Sequence, residues 1–137
     1  MFTKPESGWA DFTIGDFTDR ASYLHDIPFD VLNAIIDSVM TWQPIIFKLD
    51  AEGWENIIVI DNYDTHIIND KNESGFQLIS IVIKKNDLIS EIINSINSNI
   101  DEWASWGYKD RNSKNIVDRK EMLLMKISEI KRLYNII

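Results

Sequence analysis

Two histidines are the side chains of this chain best suited to acid–base or metal chemistry, because an imidazole titrates near neutral pH and binds metal ions. His25 directly precedes a predicted helix, and His66 lies in a short apolar segment. Neither belongs to a His-x-x-x-His or Glu-x-x-His spacing, and the chain has no cysteine to form a thiolate site, a nucleophile or a disulfide. The sequence therefore predicts two ordinary packed or surface histidines, with no metal site and no cofactor.

The carboxylates are the second group of side chains that could do chemistry. Two of the 22 acidic residues flanking a cleft would suit glycoside or phosphoester hydrolysis. No Gly-rich phosphate loop or Gly-x-Ser-x-Gly turn accompanies them, and the run Asp61-Asn62-Tyr63-Asp64 lacks the glycine and the distant glutamate of a calcium loop. We therefore expect a protein that is not an enzyme, with a carboxylate-dependent hydrolase as a minor alternative.

The negative charge is concentrated in the first part of the chain. The net charge of −8 is unevenly divided along the chain. The residues up to Gly75 include 14 acidic and 4 basic side chains, a net charge of −10. The residues after Gly75 include 8 acidic and 10 basic side chains, a net charge of +2. An acidic chain with a pI of about 4.6 lacks the clustered Lys and Arg that bind phosphates, so nucleic acid is not an expected partner. The uneven distribution favours an acidic surface that attracts a basic protein.

Many of these acids lie in predicted turns, and turns at one end of a sheet converge in space. An acidic patch formed in this way would raise the association rate with a basic partner roughly 10- to 1,000-fold at low salt. The alternative is that Asp and Asn favour turns for backbone reasons and keep the chain dissolved. The predicted binding set combines carboxylates with one tryptophan anchor: Asp11, Asp16, Asp19, Asp50, Glu52, Trp54, Glu55, Asp61 and Asp64.

Five tryptophans are available as core or interface residues. Trp42 and Trp103 fall near apolar helix faces, which predicts core or semi-core positions for both. Trp9, Trp54 and Trp106 adjoin a glycine or a turn. Each of these three could instead line an interface, where desolvated aromatic side chains often supply much of the binding energy.

The apolar periodicity predicts a block of strands that follows one strand and one helix. Alternation over Trp9 to Phe17 indicates the first strand. An apolar stripe at helical spacing predicts a helix from about 28 to 40, with Asp26 as N-cap and Pro44 preventing its extension. Turns of hairpin length then separate short apolar segments, which favours an antiparallel meander. These candidate strands are Ile45 to Leu49, Trp54 to Ile60, Thr65 to Ile68 and Phe76 to Ile83.

Two further helices complete the predicted fold. An isoleucine stripe that starts after Asn86 or Asp87 predicts a long helix ended by Gly107. A second stripe predicts a helix from about Val117 to Tyr134. The expected class is α+β: a single domain over residues 1–137, with a mainly antiparallel sheet of about four to five strands packed against about three helices. Because no secretory leader and no bilayer-length apolar run is present, we expect a cytoplasmic protein without membrane contact.

Four segments carry a resemblance that covers most of the chain: WADFTIGDF (9–17), ASYLHDIP (21–28), FKLDAEGW (47–54) and NIDEWASW (99–106). Together they resemble small bacterial immunity proteins of polymorphic and contact-dependent growth inhibition toxin systems. The resemblance implies an antitoxin that binds and neutralises the C-terminal domain of one cognate toxin, a basic domain that is commonly a nuclease. It implies no catalytic residues. An intracellular adaptor or regulatory domain that binds another protein is the alternative.

Overall fold

Six strands and four helices follow one another along the part of the chain that the computed structural model describes, residues 1–107 and 114–137. In chain order they are β1 (Trp9–Ile14), β2 (Phe17–Ser22), α1 (Ile27–Thr41), β3 (Ile45–Asp50), β4 (Glu55–Ile60), β5 (Asp64–Asn69), β6 (Gln77–Val82), α2 (Lys85–Ser98), α3 (Ile100–Ala104) and α4 (Lys114–Leu133). The α+β class and the antiparallel pairing are confirmed. Strands and helices are slightly more numerous than predicted, because the sequence pattern does not reveal β2 or the short α3.

The larger sheet is the predicted meander, with the strand order β3-β4-β5-β6 and every pair antiparallel. Because side chains alternate along a strand, residues of one parity face the core. Ile45, Phe47 and Leu49 of β3 are buried on this inner face, beside Ile58 and Ile60 of β4. The residues between them point to the opposite side of the sheet, which we call the outer face.

The smaller sheet is a hairpin of β1 and β2 that packs against the inner face of the meander. Its turn is Gly15-Asp16. Gly15 has a φ of +57°, and a Cβ atom there would lie 2.7 Å from Cγ2 of Ile81, so both the turn and the close packing require glycine. The prediction of one strand from Trp9 to Phe17 is therefore wrong at its end. The turn divides that segment, and the mostly polar β2 lacks the apolar run that would have indicated a strand.

An ion pair joins the start of α1 to the last two helices. Arg119 of α4 donates from Nη1 and Nη2 to the two carboxylate oxygens of Asp26, at 2.8 and 3.0 Å. Its Nε donates to the backbone carbonyl of Ala104 at the end of α3, at 2.9 Å. The predicted helix from about 28 to 40 is confirmed as Ile27–Thr41. Asp26 is its N-cap residue but makes no side-chain capping bond, since its carboxylate binds Arg119 instead.

The end of α1 corrects the prediction for Trp42. This residue adopts a left-handed conformation, with φ 56° and ψ 24°, that stops the helix two residues before Pro44. The backbone leaves the helix at this point, and the indole is 93% exposed. An aromatic residue near an apolar helix stripe is therefore not a core residue when it is the residue that ends the helix.

The predicted long helix before Gly107 is interrupted. Asn99, with non-helical angles of φ −126° and ψ 40°, separates α2 from α3. In α3, Trp103 is fully buried, as predicted, and its ring centroid lies 5.3 Å from that of Phe2 and 5.1 Å from that of Trp106. This aromatic cluster anchors the N-terminal segment to α3.

The ends of the other helices lie close to their predicted positions. α2 begins at Lys85, shortly before the predicted caps Asn86 and Asp87. α4 begins earlier than the predicted Val117, and most of the polar loop predicted before it lies outside the described residues. Within the described ranges, no helix combines the length and the apolar character needed to cross a bilayer.

Replacing Arg119 by alanine should destabilise the fold. Its side chain is 14% exposed and makes the contacts with Asp26 and Ala104 described above, so its removal leaves a carboxylate and a carbonyl without these donors. We expect a loss of about 1–3 kcal/mol in the free energy of unfolding, measured by urea denaturation. Arg132→Ala is the matched control, because the exposed pair of Arg132 with Glu129 should contribute far less. Equal effects of the two substitutions would contradict a structural role for the Arg119 contacts.

Candidate functional site

The outer face of the meander has an apolar centre. The pairing registers place its side chains in two rows across the sheet. One row is Ile46, Val59, His66 and Ser80, and the other is Lys48, Ile57, Ile68 and Leu78. The five aliphatic residues of the two rows are called the apolar centre: Ile46, Val59, Ile57, Ile68 and Leu78. Ile46 and Leu78 are 53% and 66% exposed, and the aliphatic residues between them are half-buried. An antiparallel sheet that meets water on one side normally has a polar outer face, so this composition points to a contact surface.

Further exposed side chains extend the apolar centre towards β6. Val82, on the same face, is 92% exposed, and Phe76 and Tyr63 are exposed beside the ends of the strands. His66 in the centre is hydrogen-bonded through Nδ1 to Oγ of Ser80, at 2.8 Å. The core residues of the sheet lie on the inner face, so these outer side chains are not part of the core.

Carboxylates border the apolar centre at both ends of the strands. At one end, Asp50 and Glu55 lie opposite each other in the β3–β4 pair, with Glu52 exposed in the turn between them. At the other end, Asp61 and Asp64 flank the β4–β5 turn. Glu55 and Asp61 are separated by the length of β4, about 20 Å. The predicted acids therefore form two groups with the apolar centre between them, rather than one patch.

The first of these groups, Asp50, Glu52 and Glu55, is called the acidic hairpin. Its turn is held by a hydrogen bond from the backbone N–H of Glu52 to Oδ1 of Asp50, at 2.6 Å. Oδ1 of Asp70 on the adjacent chain segment accepts from the backbone N–H of Glu55, also at 2.6 Å. A fourth carboxylate is thereby fixed at the same end of the sheet.

The remaining predicted acids lie in the β1–β2 hairpin and differ in their availability. Asp11 is exposed on β1, opposite Arg20 of β2. Asp16 is exposed in the turn of the hairpin, near β6. Asp19 is half-buried on β2 and makes hydrogen bonds within the protein. None of the three lies on the outer face, so the structure does not bring them together with the acidic hairpin as one surface.

Asp19 organises a buried polar network. Its Oδ2 accepts hydrogen bonds from Nε1 of Trp54 and from Nδ2 of Asn56, both at 2.8 Å. Asn56 is fully buried, and its Oδ1 accepts from Nδ2 of Asn69 at 2.6 Å. The network ties β2 to β4 and β5 and provides partners for polar groups that are removed from water. Sequence spacing gives no signal for it, because its members come from different strands.

Trp54 also contacts two cations. The guanidinium carbon of Arg20 lies 5.2 Å from the ring centroid of Trp54, and Nζ of Lys71 lies 4.5 Å from it. The same guanidinium lies 4.8 Å from the ring centroid of Trp9. Contacts of this kind at partly exposed sites contribute about 0.5–1 kcal/mol each. Both tryptophans predicted as interface candidates in this region are therefore engaged in local packing.

His25 joins the acidic hairpin at the edge of β3. Its Nε2 lies 3.7 Å from Oδ2 of Asp50, and one ligand atom each of His25, Asp50 and Glu55 lie within 4.8 Å of one another. Trp106, which is buried, positions this segment by donating Nε1 to the carbonyl of His25, at 2.9 Å. Among the described residues, these three form the group whose spacing suits a divalent cation.

A groove between α1 and β3 runs beside His25. Its volume is about 450 Å³, and its lining includes Asp30, Asp37 and Lys48. Burial raises the pKa of the Asp30 carboxyl and the neighbouring Asp26 carboxylate raises it further, while His25 lowers it. Carboxyl groups with raised pKa values in clefts are frequent in acid–base sites, so this groove is the best location for the hydrolase alternative.

No family model, curated protein or solved structure matches this chain. Function is therefore inferred from its own geometry and from the sequence resemblance to immunity proteins.

Replacing Asp19 by alanine should destabilise the protein, because it removes the acceptor for the fully buried Asn56 amide and for the indole N–H of Trp54. We expect a loss of about 2 kcal/mol in the free energy of unfolding, measured by thermal and urea denaturation. Asp11→Ala removes the same charge from an exposed position and should change stability by no more than about 0.5 kcal/mol. If both variants are as stable as the wild type, the Asp19 carboxylate is not a structural group and is available to a partner.

Proposed function

We propose that this protein is a non-catalytic binding protein that neutralises a basic protein domain by covering it with the outer face of the meander. The observation that supports the proposal is the arrangement of that face, an apolar centre between two groups of carboxylates. Protein interfaces combine a desolvated apolar centre with a polar rim. The partner that fits has an apolar patch between two basic borders about 20 Å apart.

Three of the four cations in the first part of the chain are engaged with other groups of the protein. Residues 1–75 contain 4 basic side chains. Arg20 and Lys71 lie against the ring of Trp54, and Nζ of Lys4 lies 3.5 Å from a carboxylate oxygen of Glu102 in α3. The fourth, Lys48, lies on the outer face itself. Lys84 and Lys85 follow β6 beside the β4–β5 turn, so of the two borders the acidic hairpin is the one that lies away from them.

The two kinds of surface would act on different steps of binding. Charges at the borders act over several ångströms and accelerate the encounter with an oppositely charged protein. The apolar centre acts only at contact, where removal of aliphatic side chains from water slows dissociation. Fast association and slow dissociation are what a protein needs to neutralise a toxin before it acts.

The resemblance to immunity proteins supports a toxin domain, commonly a nuclease, as the partner. A nuclease holds phosphates with Lys and Arg, so its surface offers the basic chemistry that the carboxylates complement. An adaptor for a housekeeping protein would use the same face. Gene order separates the two proposals, because an immunity gene is expected directly downstream of a large toxin gene.

Reversing the charge of the acidic hairpin should slow association with the toxin and abolish protection. The triple variant Asp50→Lys, Glu52→Lys, Glu55→Lys replaces attraction by repulsion at one border. We expect it to associate about 10- to 1,000-fold more slowly at low salt with the toxin domain encoded by the upstream gene. Stopped-flow fluorescence measures the rate, and growth of cells that co-express both proteins measures protection.

The matched control reverses three exposed acids on helices: Glu91→Lys, Asp118→Lys, Glu121→Lys. It changes the net charge by the same amount and should retain most of the association rate and full protection. Equal slowing in both triple variants would attribute the effect to net charge. Wild-type binding and protection by the hairpin variant at low salt would show that the assignment of this surface is wrong.

Removing apolar side chains from the centre of the outer face should speed dissociation. Ile46→Ser combined with Val59→Ser removes two aliphatic groups that lie opposite each other in one row. Truncation of one central interface residue typically costs about 1–2 kcal/mol, so two truncations should cost about 2–4 kcal/mol of binding free energy. We therefore expect binding to weaken about 30- to 1,000-fold, mostly through a faster dissociation rate. Surface plasmon resonance separates the two rates, and a melting curve verifies the fold.

Val117→Ser combined with Met125→Ser is the control for this change, since both residues are exposed apolar side chains on α4. The control should bind as the wild type does. An equal loss of affinity in the control, or no loss in the outer-face variant, would contradict the proposed role of the apolar centre.

A further inference from the structure

The open edge of β6 is a second surface on which the sheet can bind. Within the residues that the structure describes, β6 is the last strand of the meander and pairs only with β5. Its sequence, Gln77-Leu78-Ile79-Ser80-Ile81-Val82, contains no charged residue and no proline. Edge strands of natural proteins usually carry lysine, proline or a bulge that prevents pairing with another strand. Neither lysine nor proline occurs anywhere along the edge of β6.

The backbone groups at this edge belong to Leu78, Ser80 and Val82. Ile83 donates its N–H to the carbonyl of Tyr63, at 3.0 Å, so the N–H of Ile83 points towards β5. Backbone groups of successive residues alternate in direction along an antiparallel strand, and the even-numbered residues of β6 therefore point away from β5. Their side chains lie on the outer face, where those of Leu78 and Val82 are strongly exposed.

We propose that β6 pairs with β6 of a second copy of this chain, giving a two-fold symmetric dimer whose sheet is continuous across both copies. With the axis at Ser80, Ser80 lies opposite its counterpart and Leu78 lies opposite Val82 of the other copy. Two residues that lie directly opposite each other, and whose backbone groups point away from β5, exchange a pair of N–H···O bonds across the new strand pair. This register also keeps both outer faces on the same side of the sheet, so Leu78 and Val82 cover each other.

The residues that flank β6 favour a second copy over an unrelated strand. Lys84 and Lys85 follow the strand, and the exposed Glu73 precedes it. Antiparallel pairing brings the end of one strand beside the beginning of the other, so the basic flank of each copy meets the acidic flank of its partner. A chain with a net charge of −8 repels other copies of itself, and complementary flanks on a neutral strand relieve that repulsion.

The inner side of the edge has room for an added strand. A cavity of about 540 Å³ lies between the turn of the β1–β2 hairpin, at Gly15 to Phe17, and residues 79–82 of β6. The inward-pointing side chains of a second β6 would lie beside this cavity. Pairing at the edge covers Leu78 and Val82 but leaves Ile46, Ile57, Val59 and Ile68 of the outer face uncovered, so the dimer does not depend on the proposed function.

Sedimentation velocity of the full chain, from micromolar to near-millimolar concentration, tests the dimer. We expect the mass to rise from 16.0 kDa towards twice that value. Ser80→Pro should weaken dimerisation about 100-fold or more, because proline removes the N–H at the axis but no N–H that points towards β5. Ser80→Ala also loses the hydroxyl but keeps that N–H, so it should dimerise like the wild type.

Two further measurements exclude a folding defect as the cause of weaker dimerisation in Ser80→Pro. Val82→Lys places a charge against the apolar contact without changing the backbone, and it should also weaken the dimer. In the wild type, hydrogen exchange of the amides of Leu78, Ser80 and Val82 should slow as the concentration rises. A monomer at every concentration would overturn the proposal and leave the edge to a strand of a different protein. A dimer that persists in both Ser80→Pro and Val82→Lys would also overturn it.

Discussion

The alternation of side chains along the meander is the constraint on which the rest of the structure depends. A shift of one residue in any strand pair would exchange the core and solvent faces, so the register must be fixed. Asn56 and Asn69 fix it at one end, because they lie directly opposite each other and are joined by a buried hydrogen bond. Asp19 satisfies the remaining donor of Asn56 and attaches the β1–β2 hairpin to the same point. The outer face follows from this register: once the inner isoleucines are buried, the apolar residues between them must face outwards.

The acidic residues of the first part of the chain have two uses that their sequence positions do not distinguish. Asp19 and Asp26 bind donors within the protein and hold elements together. Glu52 is exposed at a border of the outer face, where its charge meets water, and the half-buried Asp50 and Glu55 lie beside it. The net charge of −10 up to Gly75 is therefore the sum of structural and available carboxylates. Its division into an internal set and two borders is a property of the fold.

The parts of the fold that were predictable from the sequence depend on local patterns, and the parts that were not depend on tertiary contacts. The start of α1, the meander and Trp103 as a core residue follow from periodicity, turn lengths and an apolar stripe. The strand β2 does not, because its few apolar residues become informative only when β1 pairs with them. Of the candidate site, the carboxylates in the turns were predictable as exposed acids. Their separation into two groups was not, since it requires the direction of each strand, and the approach of His25 to Asp50 requires the placement of α1 against β3.

The charge pattern also separates what the two free surfaces of the sheet can bind. Two copies of this chain cannot readily stack their outer faces, because each apolar centre is bordered by carboxylates and the like charges would oppose one another. A basic partner meets the opposite situation, since the same borders attract it before the apolar centres touch. The edge of β6 is neutral, and its basic and acidic flanks match in an antiparallel pair. In the proposed function, the borders therefore disfavour self-association on the outer face and favour a basic partner there, whereas the edge lacks that repulsion and suits the proposed second copy.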